Sequence, residues 1–392
     1  MNRLAAGVAV WCLWAALAEA QVPEAAPPVD PAAAAGTCID TVPPVIALGF
    51  PSRYKAGSKN RSDFDKAGND AVNAALKPVD GFISDLVRLS NSALTNSALT
   101  NSALTNTALT ATSTAATSTA GTTVEPAAQT DTQTAGETPA EAARAAADCA
   151  VDRLHDWAAA DALSDLQSDG ARLSVPGRIA GFAIAYASVR PLSTQDDRQA
   201  VIEAWLGTRA RDAMTFFDTK APPRASRNNL RAWAALGAAQ VGLILADPVL
   251  LDWAASSIRL VACAANADGS LPNEMWRGKL AVHYQIHAVS PLVVGAALLA
   301  TDRPGLFQDC DAAVIRVARF AVAAAQNPRL AEPHAGVPQS FDPDPAKLRA
   351  FEFAWITAFL SQVDDPGIAT FAEQFGILSN SKLGGTQSLL WN

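Results

Sequence analysis

Beyond residue 140, apolar residues recur at three- and four-residue spacing almost to the C-terminus, the pattern of helices that each turn a stripe toward a core. The spacing predicts helices near 141–164, 171–190, 196–217, 226–246, 248–265, 279–300, 309–326, 346–362 and 367–379. Breaks such as "APPRAS", "ADPVL", "NADGSLP" and "TDRPGL" separate them, since Pro, Gly and Asp end helices. An earlier segment, about 52–89, has helix-compatible spacing at Val72, Leu76, Ile83, Leu86 and Val87. No run alternates well enough to read as a strand. The expected fold is all-α, made of successive antiparallel helix hairpins that can wind into a curved barrel or toroid.

Three stretches depart from this pattern. The N-terminus has a basic start at Arg3, an apolar run from Leu4 to Leu17 and the small-residue site Ala18-Glu19-Ala20, which predicts a signal peptide cut after Ala20. Its apolar run is short for a bilayer span of about 20 residues. Residues 21–36 are Pro/Ala-rich and read as a flexible leader. Further on, "NSALTNSALTNSALTNTALT" opens a Thr/Ser/Ala-rich region, taken as a low-complexity insertion over 90–140 on a surface loop. Four five-residue copies would make roughly one coil of a stacked solenoid, too few to bury a core. The expected organisation is therefore signal peptide, leader, and a single domain over 37–392 that carries the insertion. No later stretch reads as a membrane span.

With 392 residues, 49% of them apolar, the chain can fill a sizeable core. Its net charge of −8 survives signal removal, because Arg3 and Glu19 leave together. An acidic field does not attract polyanions, and no basic, aromatic-interleaved patch supports nucleic-acid binding. An anionic ligand therefore needs a local basic cleft. Export to the periplasm or beyond permits disulfides. Cys12 would leave with the signal, so Cys38, Cys149, Cys263 and Cys310 remain, with three possible pairings and no CxxC spacing.

Candidate chemistry concentrates in "SLPNEMWRGKLAVHYQIHAVSPL", residues 270–292, which holds two of the four histidines and one of the three tyrosines. If a helix starts near Lys279, Arg277 and Tyr284 are about two turns apart and face one side roughly 10 Å from each other; otherwise Arg277 lies in the preceding loop. His283 and His287, four apart, share a neighbouring face. With no HExxH and no third ligand, they read as hydrogen-bonding or sugar-contacting groups rather than metal ligands, and no cofactor is expected. His155 and His334 read as surface or structural residues. Upstream, "RASRNNLRAWAALG" sets Arg224, Arg227, Asn228, Asn229 and Arg231 at the start of an apolar helix. The asparagines either cap that helix or offer an amide to a ligand carboxylate.

Arginine, asparagine and tyrosine together suit β-elimination from a uronate polysaccharide. Such a lyase removes the proton on carbon five, stabilises charge building on the adjacent carboxylate, and protonates the leaving oxygen on carbon four. Amide and guanidinium donors serve the second task by preorganised electrostatics. Tyrosine serves the first and third if positive charge favours its phenolate, since its ordinary pKa is about 10.

The order "RNNLRAW … DWAASSIRLVACAANADGSLPNEMWRG … HY" resembles the alginate (mannuronate) lyase family of periplasmic polysaccharide lyases, most closely over about 224–300. That family has Asn-Asn-His followed by an aromatic, then Leu-Pro-Asn-Glu, an arginine, and a tyrosine seven residues beyond it. Weaker echoes occur at Ser52-Arg53-Tyr54, at Cys149 with Trp157, at Phe353-Ala354-Trp355 and at Leu383-Gly384-Gly385. The resemblance implies an incomplete α/α toroid with a cleft. By position it implies that Asn229 and Arg277 neutralise the substrate carboxylate, that Tyr284 acts as base and then acid, and that Arg53 and Tyr54 lie on a lid. Asn228, Arg231, His283, His287 and Trp355 are the remaining candidates for contact with an acidic polysaccharide. It also implies a Cys38–Cys149 bond. A monomer is the expectation for an enzyme of long polymers.

The chain departs from the family where Leu230 replaces the histidine after the paired asparagines and Gln285 replaces the one after the tyrosine. A basic stretch between the second and third helices is also missing. Without that histidine, Tyr284 alone can perform syn elimination, the geometry of mannuronate and glucuronate, with His283 as a source of nearby positive charge. The competing readings are a catalytically silent polysaccharide-binding protein and a glycoside hydrolase. The hydrolase needs two placed carboxylates, for which Glu274, Asp252, Glu332 and Glu352 are the candidates.

Overall fold

The computed structural model describes Cys38, residues 42–115 and residues 137–391. The expected signal peptide and leader lie outside the described residues. In chain order the elements are β1 (Ala47–Leu48), α1 (Lys66–Ala115), α2 (Pro139–Ala159), β2 (Asp165–Leu166), α3 (Asp169–Ser174), α4 (Pro176–Val189), α5 (Asp196–Thr219), α6 (Asn229–Leu245), α7 (Pro248–Ala262), α8 (Pro272–Met275), α9 (Ala281–Leu298), α10 (Asp309–Gln326), α11 (Glu332–Ala335), α12 (Trp355–Leu360), α13 (Pro366–Ala372), β3 (Ser379–Asn380) and β4 (Gly385–Thr386). The strands are two-residue ties. β1 pairs in parallel with β2, Ala47 opposite Asp165, and β3 pairs antiparallel with β4, Ser379 opposite Thr386.

The helices form two courses. α1, α4, α6, α9 and α12 pack each on the next, and α2, α5, α7 and α10 back them from outside. This layering follows from side-chain distribution. α4, α6 and α9 are buried along nearly their whole length, as helices apolar on all sides must be. The segment after α13 returns across α1 and α4, so the arc of helices ends against its own beginning. Trp157 stacks on Phe82 at 4.2 Å, with Phe182 and Trp205 completing an aromatic seam between the courses. The fold is the all-α arrangement of antiparallel helix pairs expected from the spacing, wound into the incomplete toroid that the resemblance implied.

Several boundaries differ from expectation for visible reasons. Helix α1 starts only at Lys66 and runs through the NSALT repeats to Ala115, so residues 90–115 are helical rather than a loop. Ala and Leu favour helix, but a five-residue period advances about 140° beyond a full turn per copy, so its leucines fan around the axis instead of forming a seam. Ala93 is still fully buried, whereas Leu99 is 54% exposed. The predicted 171–190 helix is split at Pro176, whose ring cannot continue the preceding turn. The predicted 346–362 helix is largely short turns, with only Trp355–Leu360 helical. Residues Cys310 to Ala312 form a left-handed turn, and regular α10 follows it. The stretch Gly278–Leu298 is long and apolar enough to cross a membrane, but 78% of its apolar 18-residue window is buried inside the fold, which accounts for its composition.

Two disulfides are present. Cys38–Cys149 matches the pairing the resemblance implied, and Cys263–Cys310 links the end of α7 to the start of α10. The second closes 47 residues of chain, worth about 4 kcal/mol on the loop-entropy model. A Cys263→Ser/Cys310→Ser protein should unfold at clearly lower denaturant than wild type in equilibrium unfolding. An unchanged midpoint would show that the link adds no stability.

Candidate active site

Asn228 ends an extended residue before α6, and its side chain accepts the Leu230 N–H at 3.0 Å, so it is the helix cap. Asn229 is the first helical residue and is 1% exposed. Its backbone N–H and its Nδ2 donate to Oε1 and Oε2 of Glu274, each at 2.8 Å. The loop that carries Glu274 is held twice more. Asn273 Nδ2 donates to the Arg227 carbonyl at 2.9 Å, and Gln285 receives the Leu271 N–H while donating to the Gly269 carbonyl. Gln285, where the resembling family has a histidine, is thus a buried strut rather than a cleft residue.

Fixing that loop places Arg277. It lies just before a short turn at 278–280 and outside α9, which settles the choice left by the sequence. Its guanidinium carbon sits 3.5 Å from the centre of the Tyr284 ring and 5.0 Å from that of Tyr54. Its Nη2 donates to the Tyr54 hydroxyl at 2.8 Å and to the Arg61 carbonyl at 2.7 Å. The Tyr54 and Tyr284 hydroxyls are themselves hydrogen-bonded. Tyr54 arrives on a loop, residues 52–65, tied across its base by the Tyr54–Phe64 bridge and docked by Lys279 on Asp63 at 2.9 Å. The loop settles on bare backbone at Gly278, where φ is +58° and a Cβ would lie 2.4 Å from Asn60 Nδ2. Arg53 sits beside it, and its charge bears on Tyr284, His287 and Lys382.

Burial, and secondly Tyr54, raise the Tyr284 phenol above its ordinary value, while Arg277 and Arg53 pull it down. Burial pushes the Glu274 carboxyl up to about 7 against the bonds from Asn229. Burial also drives His287 down to about 3, with Lys382 and Arg53 adding to it, and drives His283 down to about 4, with Arg349 adding to it. Both histidines are neutral at neutral pH, so the expectation that His283 supplies positive charge beside Tyr284 is corrected. His283 instead packs edge-on against Phe341. His287 lies between Trp233 at 5.2 Å and Tyr284 at 6.4 Å. Two buried atoms of the cluster have no partner, Arg277 Nε and Asn229 Oδ1.

The structure brings together Asn229, Arg277, Tyr284, Tyr54, Arg53 and His287, and it separates two other candidates from them. Arg231 is buried among α5, α6 and α7, paired with Asp218 at 2.8 Å and bonded to Ser257, with its guanidinium over Trp253; it is a strut, not a sugar contact. Trp355 is fully buried against Phe359 and cannot stack on a sugar. Three of the four carboxylates named for a hydrolase are engaged elsewhere. Glu274 holds Asn229, Asp252 binds Arg303 and Glu352 binds Arg349. Among the described residues, no group of three His, Cys, Asp or Glu side chains is placed to hold a metal ion. The turn-like motif "LPNE" reads Glu274 as a cap or ion-pair partner without naming Asn229, and no pattern in the sequence signals Lys382.

Residues 101–331 match the alginate lyase family model. A polysaccharide lyase of Stenotrophomonas maltophilia is 27% identical over 250 residues, which span 63% of this chain and 72% of the relative. An alginate lyase of Pseudomonas syringae pv. tomato is 26% identical over 223 residues, 55% of this chain and 57% of the relative, so the match spans less than two thirds of that lyase. Alginate lyase A1-III from Sphingomonas species A1 superimposes with a TM-score of 0.63 at 20% identity, covering 91% of this chain and 86% of that one. A variant of A1-III complexed with tetrasaccharide gives 0.66 at 19%, covering 95% and 89%. At such identities the structural likeness speaks for the fold.

Glu274 gives this site a testable signature. Its folded pKa, about 7, stands above the ordinary 4.5, so the folded protein holds a proton that the unfolded chain has lost between those values. Stability therefore falls as pH rises from about 4.5 to about 7, by about 3 kcal/mol at most. Glu274→Gln should flatten that slope in unfolding experiments at pH 5 and 7. An identical slope in the variant would mean that the carboxyl does not titrate in this window.

Proposed function

The chain belongs to the alginate lyase family, and from that premise we propose that it cleaves a uronate-containing polysaccharide by β-elimination, with Tyr284 moving the proton and Asn229 with Arg277 neutralising the carboxylate. The observation that carries this is the Arg277 guanidinium stacked at 3.5 Å on the Tyr284 ring, with a buried Nε still free to donate. A carboxylate bound there draws electron density from carbon five and makes its proton removable.

Sugar entry displaces the Tyr54 hydroxyl from that of Tyr284, which removes one of the influences that raise the phenol. The Tyr284 phenolate then takes the carbon-five proton, the C5–H electrons form the C4–C5 double bond, and the C4–O bond breaks. The phenol returns the proton to the departing oxygen, so one group serves both ends of the step. Glu274 assists through Asn229. When protonated it donates to Asn229 Oδ1, the amide turns over, and Nδ2 becomes free for the substrate carboxylate. The partner-free Oδ1 and a carboxyl at about 7 both support this arrangement.

Leu230 lies where the family histidine would act, and it can neither take nor give a proton. Elimination is then confined to the face that Tyr284 serves, which favours polymannuronate or a glucuronate-containing exopolysaccharide over guluronate and galacturonate polymers. The two disulfides accord with work in the periplasm or outside the cell. A second reading, a polysaccharide-binding protein without turnover, draws on two observations, Leu230 itself and the raised phenol of Tyr284.

Ultraviolet absorbance of the unsaturated product separates these. Polymannuronate or polyglucuronate should give a rise and polyguluronate none. Because the resting phenol is protonated and Glu274 must keep its proton, kcat/KM should climb about tenfold per pH unit up to about pH 7 and level off above it. Tyr284→Phe should abolish the signal. Absence of any rise on these polymers would favour the binding protein, and an active Tyr284→Phe enzyme would remove Tyr284 from its role.

A further inference from the structure

Lys382 stands on the short turn Ser381–Leu383, in the C-terminal segment that crosses α4. Its position is fixed by backbone. Asn380 Oδ1 receives the Lys382 N–H at 2.9 Å, and Asn380 Nδ2 donates to the Phe351 carbonyl at 2.9 Å. On α4, Gly181 lets the segment approach so closely that a Cβ there would lie 2.7 Å from the Ser381 carbonyl oxygen and 3.1 Å from the Lys382 Cα. The segment therefore delivers the lysine side chain to one place rather than sweeping it through solvent.

That place is the inner end of the cleft. Lys382 Nζ lies 6.0 Å from the centre of the Trp233 ring, Trp233 lies 5.2 Å from His287, and His287 lies 6.4 Å from Tyr284. No carboxylate answers the lysine. The one acid near it, Asp80, is engaged by Arg178 at 2.7 Å, and neither Lys382 nor Arg53 makes an ion pair among the described residues. Trp233 is 5% exposed, and its indole N–H is buried without an acceptor. His287, between these groups and Tyr284, is held neutral and adds no negative charge. Two cations close enough to feel each other's charge, and an unused N–H donor beside the lysine, thus lie in one region that supplies no free anion.

We propose that Lys382, Arg53 and the Trp233 indole N–H form a second carboxylate subsite, which takes the uronate group of the sugar adjoining the one held by Asn229 and Arg277. The proposal rests on the lyase reading above. Each sugar of a polyuronate carries a carboxylate, so a chain threaded past Tyr284 presents a second anion one unit away. Burial, with the charges of Arg178 and Arg53 beside it, brings the lysine down to about 8; a carboxylate in the subsite restores the balance that the protein leaves open. The subsite selects against neutral glycans, which would leave this cation unanswered.

Calorimetric titration tests this on the Tyr284→Phe protein, which binds without turnover, using tetramers of mannuronate and of glucuronate and a neutral tetramer of glucose. The uronate tetramers should bind and the neutral one should not. Adding Lys382→Met should weaken uronate binding about tenfold to a hundredfold, and Lys382→Arg should restore most of it. Far-ultraviolet circular dichroism and the unfolding midpoint report whether each variant is folded, and Lys382→Gln replaces the methionine if that variant is not. Undiminished binding in a folded Lys382→Met or Lys382→Gln protein overturns the subsite and leaves the lyase reading standing. If the Tyr284→Phe protein binds no uronate tetramer at all, both fall together.

Discussion

The bidentate grip of Glu274 on Asn229 is the constraint on which the cleft depends. It joins a loop to the first turn of α6 through both the backbone and the side chain of one residue, and every atom involved is out of water. Loops with buried polar backbone need such partners, because an unanswered N–H or carbonyl in the interior costs more than the bond itself contributes. Here the loop satisfies itself against α6 on one side and against Gln285 of α9 on the other. With both anchors in place, Arg277 has one available direction, over the face of Tyr284. A cation on an aromatic face, partly desolvated, is worth roughly 2 kcal/mol, so the arrangement stabilises itself once formed.

Charge in the cleft is organised by subtraction as much as by addition. Burial keeps His283 and His287 neutral, and Asp80 and Glu352 are each engaged by an arginine. What remains uncommitted is cationic: Arg277 Nε, Arg53 and Lys382. A chain with a net charge of −8 thereby keeps a local positive site, whose field is confined by surrounding low-dielectric helices rather than spread over the surface. The Tyr54 hydroxyl accepts from Arg277 and shares a hydrogen bond with Tyr284, on the same loop that carries Arg53.

How much of this was legible in the sequence follows from the range of the signals. The 3.6-residue period depends on neighbours along one helix, so α5, α6, α7, α9 and the all-α class could be read directly. The NSALT region could not, because its five-residue period spoils a helical stripe without spoiling helix propensity, and α1 continues for that second reason. Arg277 and Tyr284 stood out by type and spacing. Arg231 looked equally suitable, yet its partner Asp218 lies on the preceding helix and nothing in the local pattern separates a strut from a ligand. Trp355 was misread in the same way, since an aromatic on a buried turn and one in a cleft have identical neighbours in sequence. Lys382 was invisible because its meaning comes from Gly181, Trp233 and Arg178, which are at least 149 residues away along the chain.

Replacement of a histidine by Leu230 is intelligible within this frame. Leu230, half-buried at the start of α6, packs against the core and needs no partner. On the proposed mechanism this leaves the clamp, the stacked arginine and the lid intact and removes only a proton acceptor on one face of the sugar. Binding groups and proton-transfer groups are then separable: Asn229 and Arg277 would recognise a carboxylate whichever face the proton leaves from, whereas Tyr284 would fix which face that is. The lyase proposed here thereby narrows its stereochemistry without weakening its hold on the uronate.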